Sequence, residues 1–123
     1  MRRTLLLPVG LVALSACGGG GSSVATTIPA GTDLVVKAVP TIRWDKNEYT
    51  AAAGSVQIFL ANDDNVKHDL VILKDGKTLG DFELKVQKNG DSASGTVDLE
   101  PGEYKIYCIV PGHSSMNSTL TVS

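Results

Sequence analysis

The chain has 123 residues, room for one domain, and a formal net charge of −2 from 11 basic and 13 acidic residues. No basic run follows Arg2-Arg3, which argues against a nucleic-acid-binding face. With two Phe and one Trp, the core has to lean on Val, Leu and Ile.

Met1-Arg2-Arg3 is a short positive start, and Thr4 to Ala16 is apolar, the layout of a secretory signal. Pro8, Gly10 and the lack of a polar face weigh against a soluble core helix. The stretch is also shorter than the roughly 20 apolar residues of a membrane span. Leu14-Ser15-Ala16-Cys17 resembles the lipobox of bacterial lipoproteins. The resemblance implies that residues 1–16 are cut away and that Cys17, carrying lipid on its thiol, anchors the mature chain to a membrane outside the cytoplasm. An ordinary cleaved signal is the alternative, and Arg2-Arg3 is a fragment of a twin-arginine pattern. Loss of residues 1–16 leaves nine basic against thirteen acidic residues, a net charge of −4. Residues 17–32 are mostly Gly, Ser, Thr and Ala without period and read as a flexible tether behind the anchor.

The folded body is expected over residues 33–123. Leu34 to Val39, Thr41 to Trp44 and Glu48 to Thr50 are strand-like, and Val56, Ile58 and Leu60 share one face of the next run. Asn62-Asp63-Asp64-Asn65 is a polar loop of turn formers. His68 to Leu73 is a strand and Lys74-Asp75-Gly76-Lys77 a turn. Leu79 to Lys88 alternates weakly and fits either a strand or one helical turn. Thr96 to Leu99, Glu103 to Val110 and Ser118 to Val122 complete the series. Short strands at regular spacing, with turn chemistry between them and no long helix, predict an all-β sandwich of about seven to eight strands.

Chemistry concentrates in Tyr107-Cys108-Ile109-Val110-Pro111-Gly112-His113-Ser114-Ser115-Met116, where Pro-Gly turns the chain between two strands. Apart from the initiator, Met116 is the only Met, and His68 and His113 are the only His. With Cys17 assigned to lipid, Cys108 is the only remaining thiol. Thiolate, imidazole and thioether suit copper rather than magnesium or calcium, which want oxygen. Zinc competes, but its sites rarely use Met and usually show paired Cys or His.

His68, then Cys108, His113 and Met116 within one loop, together with the run Ile42-Arg43-Trp44-Asp45 and Gly102-x-Tyr104-x-x-Tyr107-Cys108, resemble the cupredoxins, small blue-copper electron carriers. The resemblance spans residues 33–123. It implies a cupredoxin-like Greek-key sandwich holding one mononuclear type 1 copper, Cu(I)/Cu(II). His68, Cys108 and His113 would lie in the metal plane and Met116 would be the weak axial ligand. His113 would be the exposed ligand and Pro111 part of a docking patch for protein redox partners. The implied protein is a monomeric one-electron carrier, not an enzyme. Copper storage, delivery or resistance is the competing function. A single Cys in the loop argues against thiol–disulfide exchange and against a dinuclear copper centre bridged by two Cys.

The pattern departs from the family in two places. Asp69 stands after the first His where Asn is usual; its carboxylate accepts but does not donate when ionised, while its backbone N–H is free to point at the Cys108 sulfur and tune the potential. The gap from Cys108 to His113 is long while that from His113 to Met116 is short, which singles out Met116 as the variable bond. Trp44, Tyr49, Tyr104 and Tyr107 are expected in the core or at its edge. Asp63-Asp64 lacks the third carboxylate of a calcium loop and reads as solvated. Asn117-Ser118-Thr119 matches a glycosylation acceptor with no meaning expected in a bacterial lipoprotein.

Overall fold

The computed structural model describes residues 27–123, so the expected signal 1–16, the lipidated Cys17 and most of the tether lie outside the described residues. Among the described residues there is no helix. Nine strands follow in order: β1 Leu34–Val39, β2 Arg43–Trp44, β3 Glu48–Ala51, β4 Gly54–Asn62, β5 His68–Lys74, β6 Lys77–Val86, β7 Ser92–Leu99, β8 Gly102–Cys108 and β9 Asn117–Val122. They make two sheets, one ordered β2-β1-β4-β7 and the other β3-β9-β8-β5-β6. The pairs β1–β4 and β3–β9 are parallel and the remaining pairs antiparallel.

The sandwich expectation holds, with boundaries shifted. The ambiguous stretch 79–88 is a strand, β6, pairing with β5 across an irregularity between Val71 and Leu73. The strand expected from Thr96 starts at Ser92, because pairing with β4 runs from Gly54↔Leu99 back to Ala61↔Ser92. The strand expected to reach Val110 ends at Cys108.

Period-2 alternation decides what lies inside. β8 turns Tyr104, Ile106 and Cys108 inward, β4 turns in Val56, Ile58 and Leu60, and β9 turns in Leu120 and Val122. Burying each large aliphatic of this set stabilises the fold by about 1.5–3 kcal/mol before chain entropy is counted. Trp44 joins the core and donates its indole N–H across the sandwich to the Ile106 carbonyl at 3.1 Å. On β5 the inward residues are His68, Leu70 and Ile72. Leu70 pairs with Cys108, so His68, one inward step beyond Leu70, comes to the same pole as Cys108. A one-residue slip of β5 would turn His68 outward; the hydrophobic pattern of β5 therefore also fixes the site.

Candidate metal centre

The loop from β8 to β9 is shaped by local chemistry. His113 N–H donates to Val110 O at 3.0 Å, closing a turn with Pro111 and Gly112 at its centre. Gly112 has φ 87°, the left-handed conformation that the third residue of a type II turn requires and that glycine adopts without strain. A second turn follows, with Met116 N–H on His113 O at 2.9 Å, and Cys108 N–H closes the loop on Met116 O at 3.2 Å. Two turns in nine residues thus fold the loop back on itself, bringing the main chain of Met116 against that of Cys108.

The donor atoms of His68, Cys108 and His113 all lie within 4.8 Å of one another. Cys108 Sγ is 3.7 Å from His113 Nδ1. Metal–sulfur and metal–nitrogen bonds of about 2.3 and about 2.1 Å in a trigonal plane subtend roughly 3.8 Å, so that separation fits one shared ion. The His68 and His113 rings stand 5.0 Å apart between centroids. His68 and Cys108 have no exposed surface and His113 is 8% exposed. His113 is thus the most exposed of the three, yet still a buried residue. Met116 has no exposed surface.

His68 carries the clearest sign of a ligand. Its Nε2 lies 3.1 Å from Asp64 Oδ2, while its Nδ1 is buried without any hydrogen-bond partner. An orphaned buried ring nitrogen is costly; a metal ion on that lone pair removes the cost. Burial holds the His68 imidazole below its ordinary pKa and outweighs the opposing pull of Asp64. Burial likewise pushes the Cys108 thiol up, against the lowering influence of the Asp69 and Val110 N–H groups. These directions favour a neutral His68 imidazole and a protonated Cys108 thiol, whose proton metal binding would displace.

The backbone at residue 69 holds the two ligand segments together. Asp69 N–H donates to Cys108 Sγ at 3.5 Å, as expected, and Asp69 O accepts from Ile109 N–H at 3.1 Å. Both bonds use only the main chain of residue 69, so this tie does not depend on the side chain that departs from the family pattern.

Asp64 corrects the sequence expectation. It is not solvated: it is 7% exposed and takes N–H donors from Asn65 at 2.8 Å and Ile42 at 3.3 Å, beside its contact with His68. Burial alone would raise its carboxyl, but those donors together hold it below the usual carboxylate range. Its spacing of four from His68 was the one signal available in the chain. Trp44, expected only as core, also lies 6.3 Å from the His68 ring between centroids.

Fold and site together define a β-sandwich protein whose two imidazoles and one thiol are placed to hold a single metal ion. The chain belongs to the family described as copper binding proteins, plastocyanin/azurin family, which matches residues 32–123. No curated protein matches it. Among solved structures it is similar to a novel purple cupredoxin from Nitrosopumilus maritimus, with 23% identity, TM-score 0.58, and 74% of this chain and 100% of that one covered. It is also similar to auracyanin B, with 24% identity, TM-score 0.59, and 85% and 96% covered. An azurin from Methylomonas sp. strain J gives 16% identity, TM-score 0.60, and 76% and 99% covered. These likenesses establish a cupredoxin sandwich, and His68, Cys108 and His113 are positioned in it to bind a single copper ion.

Proposed function

We propose that this protein is a one-electron carrier that works outside the cytoplasm, tethered to a membrane by lipid on Cys17. In this reading His68, Cys108 and His113 hold one copper ion and Met116 is a weak axial donor. Bound copper supplies the single-electron couple; the chain supplies the geometry, the dielectric and the route. The observation that carries the reading is the unpartnered Nδ1 of buried His68, in a residue whose donor nitrogen lies within 4.8 Å of the donor atoms of Cys108 and His113. Strands β5 and β8 fix two of these donors by ladder pairing, and two short turns fix the third. A scaffold set before the ion arrives moves little when an electron does, which keeps transfer fast.

His113 is the route to the surface, being the most exposed of the three donors. Pro111 beside it is exposed, and Ile109 at 44% and Val66 at 40% are large exposed apolar groups, one on the loop after Cys108 and one on the loop before His68. They form the apolar part of a docking face for a protein redox partner. The mature net charge of −4 suits a basic partner surface. The protein would pass electrons without transforming a substrate, and act as a monomer. Storage or delivery of copper needs ligands that release it readily, and the full burial of His68 and Cys108 favours the carrier.

The test is to load the protein with copper(II) and cycle it. Intense thiolate-to-copper visible absorption that bleaches on reduction and returns on oxidation supports the reading, with Cys108→Ser abolishing the band. A colourless adduct that does not cycle overturns it. Incorporation of labelled lipid that is lost in Cys17→Ser tests the tether separately.

A further inference from the structure

We propose that Asp64 is a positioning residue for the metal centre: its carboxylate takes the Nε2–H of His68, leaves Nδ1 as the bare lone pair facing Cys108 and His113, and places a buried negative charge behind the ligand. The proposal rests on the copper reading and deepens it. An ionised carboxylate only accepts hydrogen bonds. Both Asp64 oxygens already accept main-chain N–H groups, Oδ1 from Asn65 and Oδ2 from Ile42, so the carboxylate is placed as an acceptor and its 3.1 Å contact with His68 Nε2 points to the tautomer with the proton on Nε2 and Nδ1 free. The free atom is the one the structure leaves without a partner.

Asp64 is itself held on every side. Its N–H donates to Asn62 Oδ1 at 3.0 Å. Asn62, 1% exposed, is anchored in turn by donating to Val66 O at 2.9 Å and Lys88 O at 3.0 Å. Asp64 Oδ1 accepts from Asn65 N–H and Oδ2 from Ile42 N–H. The Ile42 carbonyl then receives the Ser115 hydroxyl at 3.5 Å, on the ligand loop between His113 and Met116. Asp64 thereby connects the β1–β2 turn, the 62–66 loop and ligand His68 in one polar network.

Charge counting gives the consequence. The Cys108 thiolate and Asp64 carboxylate together contribute two negative charges. With a divalent ion this buried set sums to zero, and with a monovalent ion it carries one net negative charge. Buried net charge is penalised, so Asp64 favours the divalent state. Carboxylates behind metal-bound imidazoles act with this sign, and their loss typically weakens metal binding by about 10–100-fold.

The experiment compares Asp64→Asn, which removes the charge and keeps an amide oxygen, with Asp64→Ala, which removes both. Redox titration of the copper-loaded proteins gives the ratio of copper(II) to copper(I) affinity. That ratio is expected to fall by about tenfold in both variants, a rise of about 59 mV in potential for a one-electron couple. Nitrogen-15 NMR of the metal-free parent is expected to show His68 protonated on Nε2 alone, and Asp64→Ala to lose that exclusivity. A merely structural role would lower the melting temperature and leave the ratio unchanged. An unchanged ratio, within about twofold, with an unaltered His68 tautomer overturns the proposal. If Asp64→Ala fails to fold, the ratio in Asp64→Asn decides. If the parent itself does not cycle copper, the electron-carrier reading fails, and the tautomer measured without metal still decides the role of Asp64.

Discussion

Trp44→Phe separates the fold from the site more cleanly than any ligand substitution. Trp44 stands on a strand of two residues, β2, and owes its place to contacts across the sandwich. It is 4% exposed, its N–H reaches Ile106 O at 3.1 Å, and its ring lies against His68 at 6.3 Å and 53°. Phenylalanine keeps an aromatic ring but loses the donor, at a net cost of about 1 kcal/mol. It also gives up roughly 50 Å² of buried apolar surface, another ~1.2 kcal/mol at about 25 cal/mol per Å². The sum is about 2 kcal/mol, which for a domain of this size lowers the melting temperature by roughly 8–16 °C. Trp44→Ala is the poorer test: about 3–5 kcal/mol of cavity cost plus the lost bond approaches the whole stability of a small domain. Thermal unfolding of the metal-free protein, followed by circular dichroism, measures the effect. A drop below about 3 °C would refute the argument that this indole joins the two sheets.

Met116 and Tyr49 give two further tests. Met116→Leu keeps apolar volume at a site with no exposure, costing less than about 1.5 kcal/mol, but removes the thioether. If Met116 is the axial donor, copper(II) loses support and the potential rises, whereas Met116→Gln supplies a harder oxygen and lowers it; shifts of the same sign in both variants on redox titration would exclude the ligand role. Burial, with the 2.6 Å bond to Asp45, raises the Tyr49 hydroxyl far above its ordinary 10.0. The folded chain thus keeps a proton that the unfolded chain gives up, so this contribution is complete below pH 10 and is lost as pH rises above it. The loss is about 1.4 kcal/mol by pH 11. Denaturant titration of the metal-free protein against Tyr49→Phe isolates it, because Cys108 is common to both, and equal pH dependence in the two proteins would count against it.

How much of this was legible in the chain depends on how local its cause is. The ligand loop was readable because Pro111-Gly112 and the two flanking strands carry their own turn and period-2 signals. His68 was readable only beside Cys108 and His113. β6 was ambiguous because it is an edge strand of its sheet, exposed or half-exposed over its first seven residues, with a buried alternation only at Leu84 and Val86. The first half of β7, Ser92-Ala93-Ser94-Gly95, has almost no strand-forming character of its own. Pairing with β4 makes it a strand, and Gly95 leaves room for Phe82 and Leu84, which a Cβ there would meet at 3.1 and 3.2 Å. Asp64 sat in a run of turn formers, and turn formers usually lie in water. What buries it is a donor 22 residues away, Ile42 N–H, and no local pattern announces a contact of that kind.

The same contrast explains why the centre is built on both local and distant supports. A loop held only by its own turns is mobile, since few bonds have to break for it to open. Here the Cys108 end is extended into β8, paired to β5 through Leu70 and to β9 through Tyr107↔Asn117. The loop is also held at Ile109 by Asp69 and at Ser115 by Ile42. His68 is fixed by the β5 ladder on its backbone side and by Asp64 on its ring. Cys108 and His68 are thus fixed by strand pairing with residues remote in sequence, while His113 is held by the two turns of its own loop, a loop itself tied to remote residues at Ile109 and Ser115. Releasing an ion would require these supports to give way, whereas moving an electron would leave them in place. That asymmetry is the physical argument behind the proposed reading of this buried site as a carrier of charge.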